Sequence, residues 1–230
     1  MTQPFSGGGW VGDWSPGIGD PTFAGWLTAF AYLGAAALCF RNERRLRAAS
    51  GDAGPTRTLP PLVYAVFGLW GRLARTPPAT RLASLWRGLA VVMLGLGINK
   101  QLDLQTALTE IGRIMARSEG WYAGRRKIQV QFIVAVLLVG IWMLGVVFAM
   151  SRGFLARLWP VLLGSVFLVC FVAIRASSFH HVDRLLHLEL GGLRVNWILE
   201  LGGICLVAFG AWRAAPALTP AKGTPATYTR

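Results

Sequence analysis

The residues best suited to chemistry lie in one short segment, where His180, His181, Asp183 and His187 follow Ser177 and Ser178. On a helix His180, Asp183 and His187 fall at i, i+3 and i+7 on one face, with Phe179, Val182 and Leu186 on the apolar one. A carboxylate flanked by two imidazoles can chelate zinc or another divalent metal, with further ligands from Asp103 or Glu200 and an open position for water. His180 and His181 point about 100° apart on a helix and do not share an ion readily. In this reading Asp103, His180, His181 and Asp183 are the catalytic ligands or bases of a metal-dependent hydrolase or transferase, and Ser177 or Ser178 hydrogen-bonds the substrate. The HHxD pattern is less specific than HExxH, whose spacing fixes both ligands and base. The plain alternative is an amphipathic helix that carries His187 and Arg184 toward lipid headgroups.

A second set of polar residues belongs to the elements that must hold the first. Five segments read as membrane-spanning helices: Thr22 to Phe40, about Leu85 to Leu104, Ile128 to Met150, Leu155 to Ile174 and Val195 to Trp212, each near the roughly 20 residues that cross a hydrocarbon core. The runs are continuous rather than alternating, so helices and not barrel strands are expected. The second span ends in Asn99, Lys100 and Asp103, and the polar face of its helix is expected to continue to about Ser118. The third span enters on that side with Gln129 and Gln131, the fourth leaves there through Arg175, and the fifth returns there with Asn196 and, one turn deeper, Glu200. Four spans therefore bring polar groups to one leaflet, whereas their other halves are almost wholly apolar. An ionisable group at membrane depth costs several kcal/mol unless paired or hydrated, which makes the cluster a candidate site. The structural alternatives are register-fixing ion pairs, Lys100 with Asp103 and Arg175 with Glu200, and interhelical hydrogen bonds from Asn99, Gln129, Gln131 and Asn196.

Composition agrees with lipid as the solvent. Of 230 residues 54% are hydrophobic and 14% charged, against roughly a quarter charged in a soluble domain, which excludes a soluble enzyme, a disordered chain and a disulfide scaffold. The expected fold class is an all-α polytopic helix bundle of about five transmembrane helices plus an interfacial or re-entrant helix at Leu62 to Leu73. Residues 1–213 form a single membrane domain and 214–230 a mobile tail rich in Pro, Ala and Thr. The net charge of +13 would suggest nucleic acid in a soluble protein, but the arginines flank apolar blocks, so no nucleic-acid partner is expected. Cys39, Cys170 and Cys205 read as small core residues within apolar blocks. Met1 to Asp20 has no basic residue and no compact apolar run, so it is not read as a secretory signal; Trp10 and Trp14 read as an outer-surface anchor.

Orientation follows from the basic residues. Lys100, Arg113, Arg117, Arg125, Arg126, Lys127, Arg175, Arg184 and Arg194 fall on one face, and the larger remainder of the 23 Lys and Arg on the other, which places the N-terminus outside and the C-terminus inside. The segments INKQLDLQTALTEIGR, GWYAGRRKIQ and RASSFHHVD resemble a family of small, functionally unassigned multi-pass bacterial membrane proteins. The resemblance covers about Ile98 to Asp183. It implies a bacterial inner membrane with the polar cluster toward the periplasm, and it brings no catalytic roles.

The leading functional expectation is an accessory or structural subunit of a membrane complex. Its outer-leaflet site, with Asn99, Lys100, Gln129, Gln131, Arg175, Asn196 and Glu200, would bind lipid headgroups or other membrane subunits. The metal-dependent hydrolase or transferase on a lipid-linked substrate is the alternative. Tetrapyrrole binding is weaker, because all three histidines share one segment. A transporter is disfavoured because the polar residues stop at one leaflet.

Overall fold

The structure is a computed structural model that describes residues 15, 20–49, 77–103, 107, 110–112, 114, 125–177, 189–190 and 193–214. Five helices dominate: α1 (Phe23–Ala49), α2 (Pro78–Leu102), α3 (Arg125–Ser151), α4 (Leu155–Ser177) and α5 (Val195–Ala214). All five are long and apolar enough to cross a membrane. Each matches an expected span and extends it at one end or both, because flanking residues continue the helix: α1 carries Arg41 to Arg47 on its last turns, and α2 begins seven residues before Leu85 but stops at Leu102, short of Leu104. The one strand pairing among the described residues is a two-residue antiparallel ladder, β1 (Glu189–Leu190) with β2 (Leu193–Arg194), leading into α5. The interfacial helix expected at Leu62 to Leu73 and the tail at 214–230 lie outside the described residues, save Ala214, which ends α5.

Packing orders the helices α2, α1, α5, α4, α3 around the bundle, with α2 and α3 touching only lightly where the ring would close. Tyr32, Cys39, Trp86, Met93, Val161, Ile204 and Val207 form the core. Lipid offers no hydrophobic drive for helix association, so close approach and dispersion must supply it, and small residues sit at the contacts. A Cβ on Gly164 would lie 2.7 Å from the Gly203 carbonyl oxygen, and one on Gly97 would lie 3.0 Å from Tyr32 Cβ. The turn between α3 and α4 is only Arg152, Gly153 and Phe154. Gly153 takes φ +89° there, a conformation costly for any residue with a Cβ.

Two expectations need correction. Cys39 is buried, but Cys170 and Cys205 are exposed on the bundle surface; lipid is as apolar as a core, so a thiol facing outward there loses nothing. The second helix does not run unbroken toward Ser118. It stops at Leu102, where Asp103 adopts the left-handed conformation, φ 46° and ψ 48°, and helical backbone resumes at 107, 110–112 and 114. Aspartate is among the few residues with a Cβ that visit this region at modest cost. Its amide still donates to the Asn99 carbonyl at 3.0 Å, and its carbonyl accepts from the Ala107 amide at 3.4 Å.

Candidate functional site

The polar ends of α1, α2, α4 and α5 meet at one end of the bundle. Glu200, one turn into α5, is buried, and its two oxygens are held from two other helices. Lys100 Nζ of α2 lies 3.3 Å from Oε2, and the Tyr32 hydroxyl of α1 donates to Oε1 over a long 3.5 Å. The same ammonium lies 3.6 Å from Asp20 Oδ2, just ahead of α1. Lys100 thus sits between two carboxylates and ties α1, α2 and α5 together. Its long stem spans the helix interface and carries the charge to both carboxylates.

Asp20 is organised by local sequence. Thr22 is the N-cap of α1, its hydroxyl accepting from the Gly25 amide at 3.1 Å. Asp20 Oδ1 in turn accepts from the Thr22 hydroxyl at 2.6 Å and from the Thr22 amide at 3.3 Å, a side-chain capping arrangement at a helix start. The Thr22 hydrogen bond, helped by the nearby Lys100, holds the Asp20 carboxyl below its ordinary value of 3.8 against the opposing effect of partial burial.

A second pair closes the rim. Arg175, at the end of α4, reaches Asp103 Oδ1 at 3.6 Å, both side chains remaining more than a third exposed. The expected pairs, Lys100 with Asp103 and Arg175 with Glu200, are therefore exchanged. The left-handed backbone at Asp103 is the reason: it takes that carboxylate off the face it would share with Lys100 on a continuous helix and leaves Lys100 free to reach α5.

Among the remaining expected residues, Asn99 contributes its backbone carbonyl to the Asp103 amide, and Gln131 is exposed on α3. Asn196 Oδ1 is enclosed without a hydrogen-bond partner among the described residues, so this oxygen does not form the interhelical bond expected of it. The side chain of Gln129 lies outside the described residues. So do His180, His181, Asp183 and His187, together with Ser178 and the side chain of Ser177. Among the described residues no group of three or more His, Cys, Asp or Glu side chains is placed to hold a metal ion.

Three participants escaped sequence reading. Asp20 was legible only as the end of the segment before the first span, although the D-P-T run before an apolar block is a helix-start signal. Tyr32 is a lone hydroxyl inside an apolar run. Gln101, beside Lys100, has both side-chain polar atoms enclosed without a partner among the described residues. The opposite end of the bundle has its own polar contacts: Asn42 Nδ2 donates to the Ala211 carbonyl at 2.7 Å, Arg47 pairs with Glu43 at 2.7 Å, and Arg81 donates to the Arg152 carbonyl at 2.7 Å.

The fold and site define the class: an all-α, multi-pass membrane protein with a charge-paired cluster at one end of its bundle. No family model, curated protein or solved structure matches the chain.

Proposed function

We propose that the chain is an accessory or structural subunit of a membrane complex, and that its charge-paired end binds a partner subunit or a lipid headgroup. It would reside in a bacterial inner membrane with that end toward the periplasm, the N-terminus periplasmic and the C-terminus cytoplasmic.

The observation that carries this reading is how Lys100 is used. Its ammonium lies between Glu200 and Asp20, and the Tyr32 hydroxyl occupies the other oxygen of Glu200. Groups engaged this way fix helix register. A general base would instead need an acceptor within reach of a substrate proton. Around this clamp lie the more accessible Asp103 and Arg175, whose charges a partner's polar groups can meet.

The test is native electrophoresis of the tagged full chain from gently solubilised source membranes. The unaltered chain is expected to migrate in an assembly larger than itself. Asp103→Asn combined with Arg175→Gln is expected to release it while changing its own stability by no more than about 1 kcal/mol, as for exposed ion pairs. A chain that always migrates alone would overturn the reading. So would purified protein holding one equivalent of a divalent metal that is lost in both His180→Ala and Asp183→Ala, and that result would favour the hydrolase or transferase.

A further inference from the structure

Where the ring of helices fails to close, α2 and α3 stand apart over α4 and leave a lateral cleft of about 710 Å³. Its walls are almost wholly apolar, with Leu89, Val92 and Met93 from α2, Val136 and Val139 from α3, and Leu168 and Val169 from α4 among them. The hydroxyl of Ser165, on the floor, donates to the Val161 carbonyl at 2.7 Å and makes no polar demand on an occupant. Among the described residues one charged side chain lines the cleft, that of Arg87, in the half of α2 away from Lys100.

The lining runs from Leu85 to Leu96 on α2 and from Phe132 to Met150 on α3, which at 1.5 Å per residue is about 17 and 27 Å of length. A cleft of this length, walled by apolar side chains from three helices, takes an extended hydrocarbon chain.

Apolar walls alone would not select an occupant, because bilayer lipid is as apolar as leucine. Arg87 supplies the selection. Its Nε lies 4.0 Å from Glu43 Oε1, too far for a hydrogen bond, and that carboxylate is already engaged by Arg47 at 2.7 Å. The Arg87 side chain is 46% exposed, so its donor fork is open to a phosphate at the membrane surface, an acceptor it can meet with two parallel hydrogen bonds.

We propose that this cleft is a binding site for an anionic glycerophospholipid of the leaflet on the Arg87 side, with one acyl chain between α2 and α3 and the phosphate on Arg87. The site lies at the opposite end of the bundle from the Lys100 cluster and does not depend on the function assigned to it.

The test is native mass spectrometry of the full chain, equilibrated in micelles with equal amounts of phosphatidylglycerol and phosphatidylcholine. One phosphatidylglycerol is expected to remain bound in preference to phosphatidylcholine. Arg87→Gln should lower that occupancy at least fivefold, whereas Arg157→Gln, which removes an exposed arginine outside the cleft at the same end, should leave it unchanged. Ala135→Phe, which narrows the cleft, should lower the retention of both lipids. Equal retention of the two lipids, or equal loss in the two arginine variants, overturns the proposal. A dimer that is abolished by Ala135→Phe would also overturn it, in favour of a second copy. On the unaltered chain, phosphatidylglycerol with a photoreactive acyl chain should label residues 85–96 and 132–150; labelling confined to other segments overturns it without recourse to any variant.

Discussion

At the scale of single residues, burial separates the two ion pairs at the candidate site. Glu200 is nearly enclosed and Lys100 only slightly accessible, with side chains 4% and 15% exposed. Lys100→Met would leave a carboxylate at membrane depth with only a long tyrosine hydrogen bond, and a buried charge stripped of its partner typically costs about 3–5 kcal/mol. Glu200→Gln should cost less, because Asp20 still faces the ammonium, and the double variant should recover part of the Lys100→Met loss. Unfolding of the four species in mixed micelles, arranged as a double-mutant cycle, checks this order. Asp20 gives a second prediction. Its folded-state value lies below the ordinary 3.8, so its contribution is fully present above 3.8 and is lost as pH falls through the lower folded value. Acidification below about 3.8 should therefore increase hydrogen exchange at the start of α1, and Asp20→Asn should flatten that pH dependence. The sequence located Lys100, Asp103, Arg175 and Glu200 at one leaflet, because charge at the end of an apolar run marks depth. It did not reveal who pairs with whom, since that depends on one left-handed backbone at Asp103 that no periodicity encodes.

At the scale of elements, the bundle is held by close approach more than by shape alone. The α4–α5 contact runs through Gly164, Gly203 and Gly210, and a Cβ on Gly210 would lie 2.5 Å from Val161 Cγ2. At Gly164 the obstacle is a backbone carbonyl, which cannot rotate away as a side chain can. Gly164→Ala should therefore separate α4 from α5 and cost about 1–3 kcal/mol, the usual range for overpacking. Gly95→Ala, with nothing within 4 Å of the added carbon, should be neutral or stabilising by up to about 1 kcal/mol through helix propensity. Thermal unfolding of the two variants beside the unaltered chain distinguishes them. The helices themselves were legible, because twenty apolar residues in lipid leave the backbone few alternatives. Their neighbours were not. That α1 meets both α2 and α5 while α3 touches chiefly α4 follows from where small residues permit contact, and the glycines of all five segments look alike in sequence.

At the scale of the whole molecule, the two ends of the bundle differ in how their charge is disposed, and this asymmetry predicts orientation. The end with Lys100 balances its described cations against Asp20, Asp103 and Glu200. The other end carries Arg41, Arg44, Arg45 and Arg47 on α1, Arg81 and Arg87 on α2, Arg152 and Arg157 around the α3–α4 turn, and Arg213 on α5, with Glu43 the one acidic residue described beside them. Retention of Lys and Arg is the determinant of topology, and acidic residues contribute little. The arginines on the last turns of α1 lie within 15–20 residues of its apolar part, where such retention acts most strongly. A reporter active only in the cytoplasm should therefore be active when fused after Ala214, and one active only outside should be silent there. Replacing Arg41, Arg44, Arg45 and Arg47 together by glutamine should produce a mixed population, because the arginines of the later turns would still favour the original direction. The Lys100 cluster adds its own constraint, since Asp20, Lys100 and Glu200 must reach the same leaflet before they can pair. Molecules inserted the wrong way round should still assemble the cluster, but on the wrong side. Accessibility of a cysteine introduced at Leu102, beside the cluster, then reads orientation independently of the reporter, and the two readouts should shift in the same proportion.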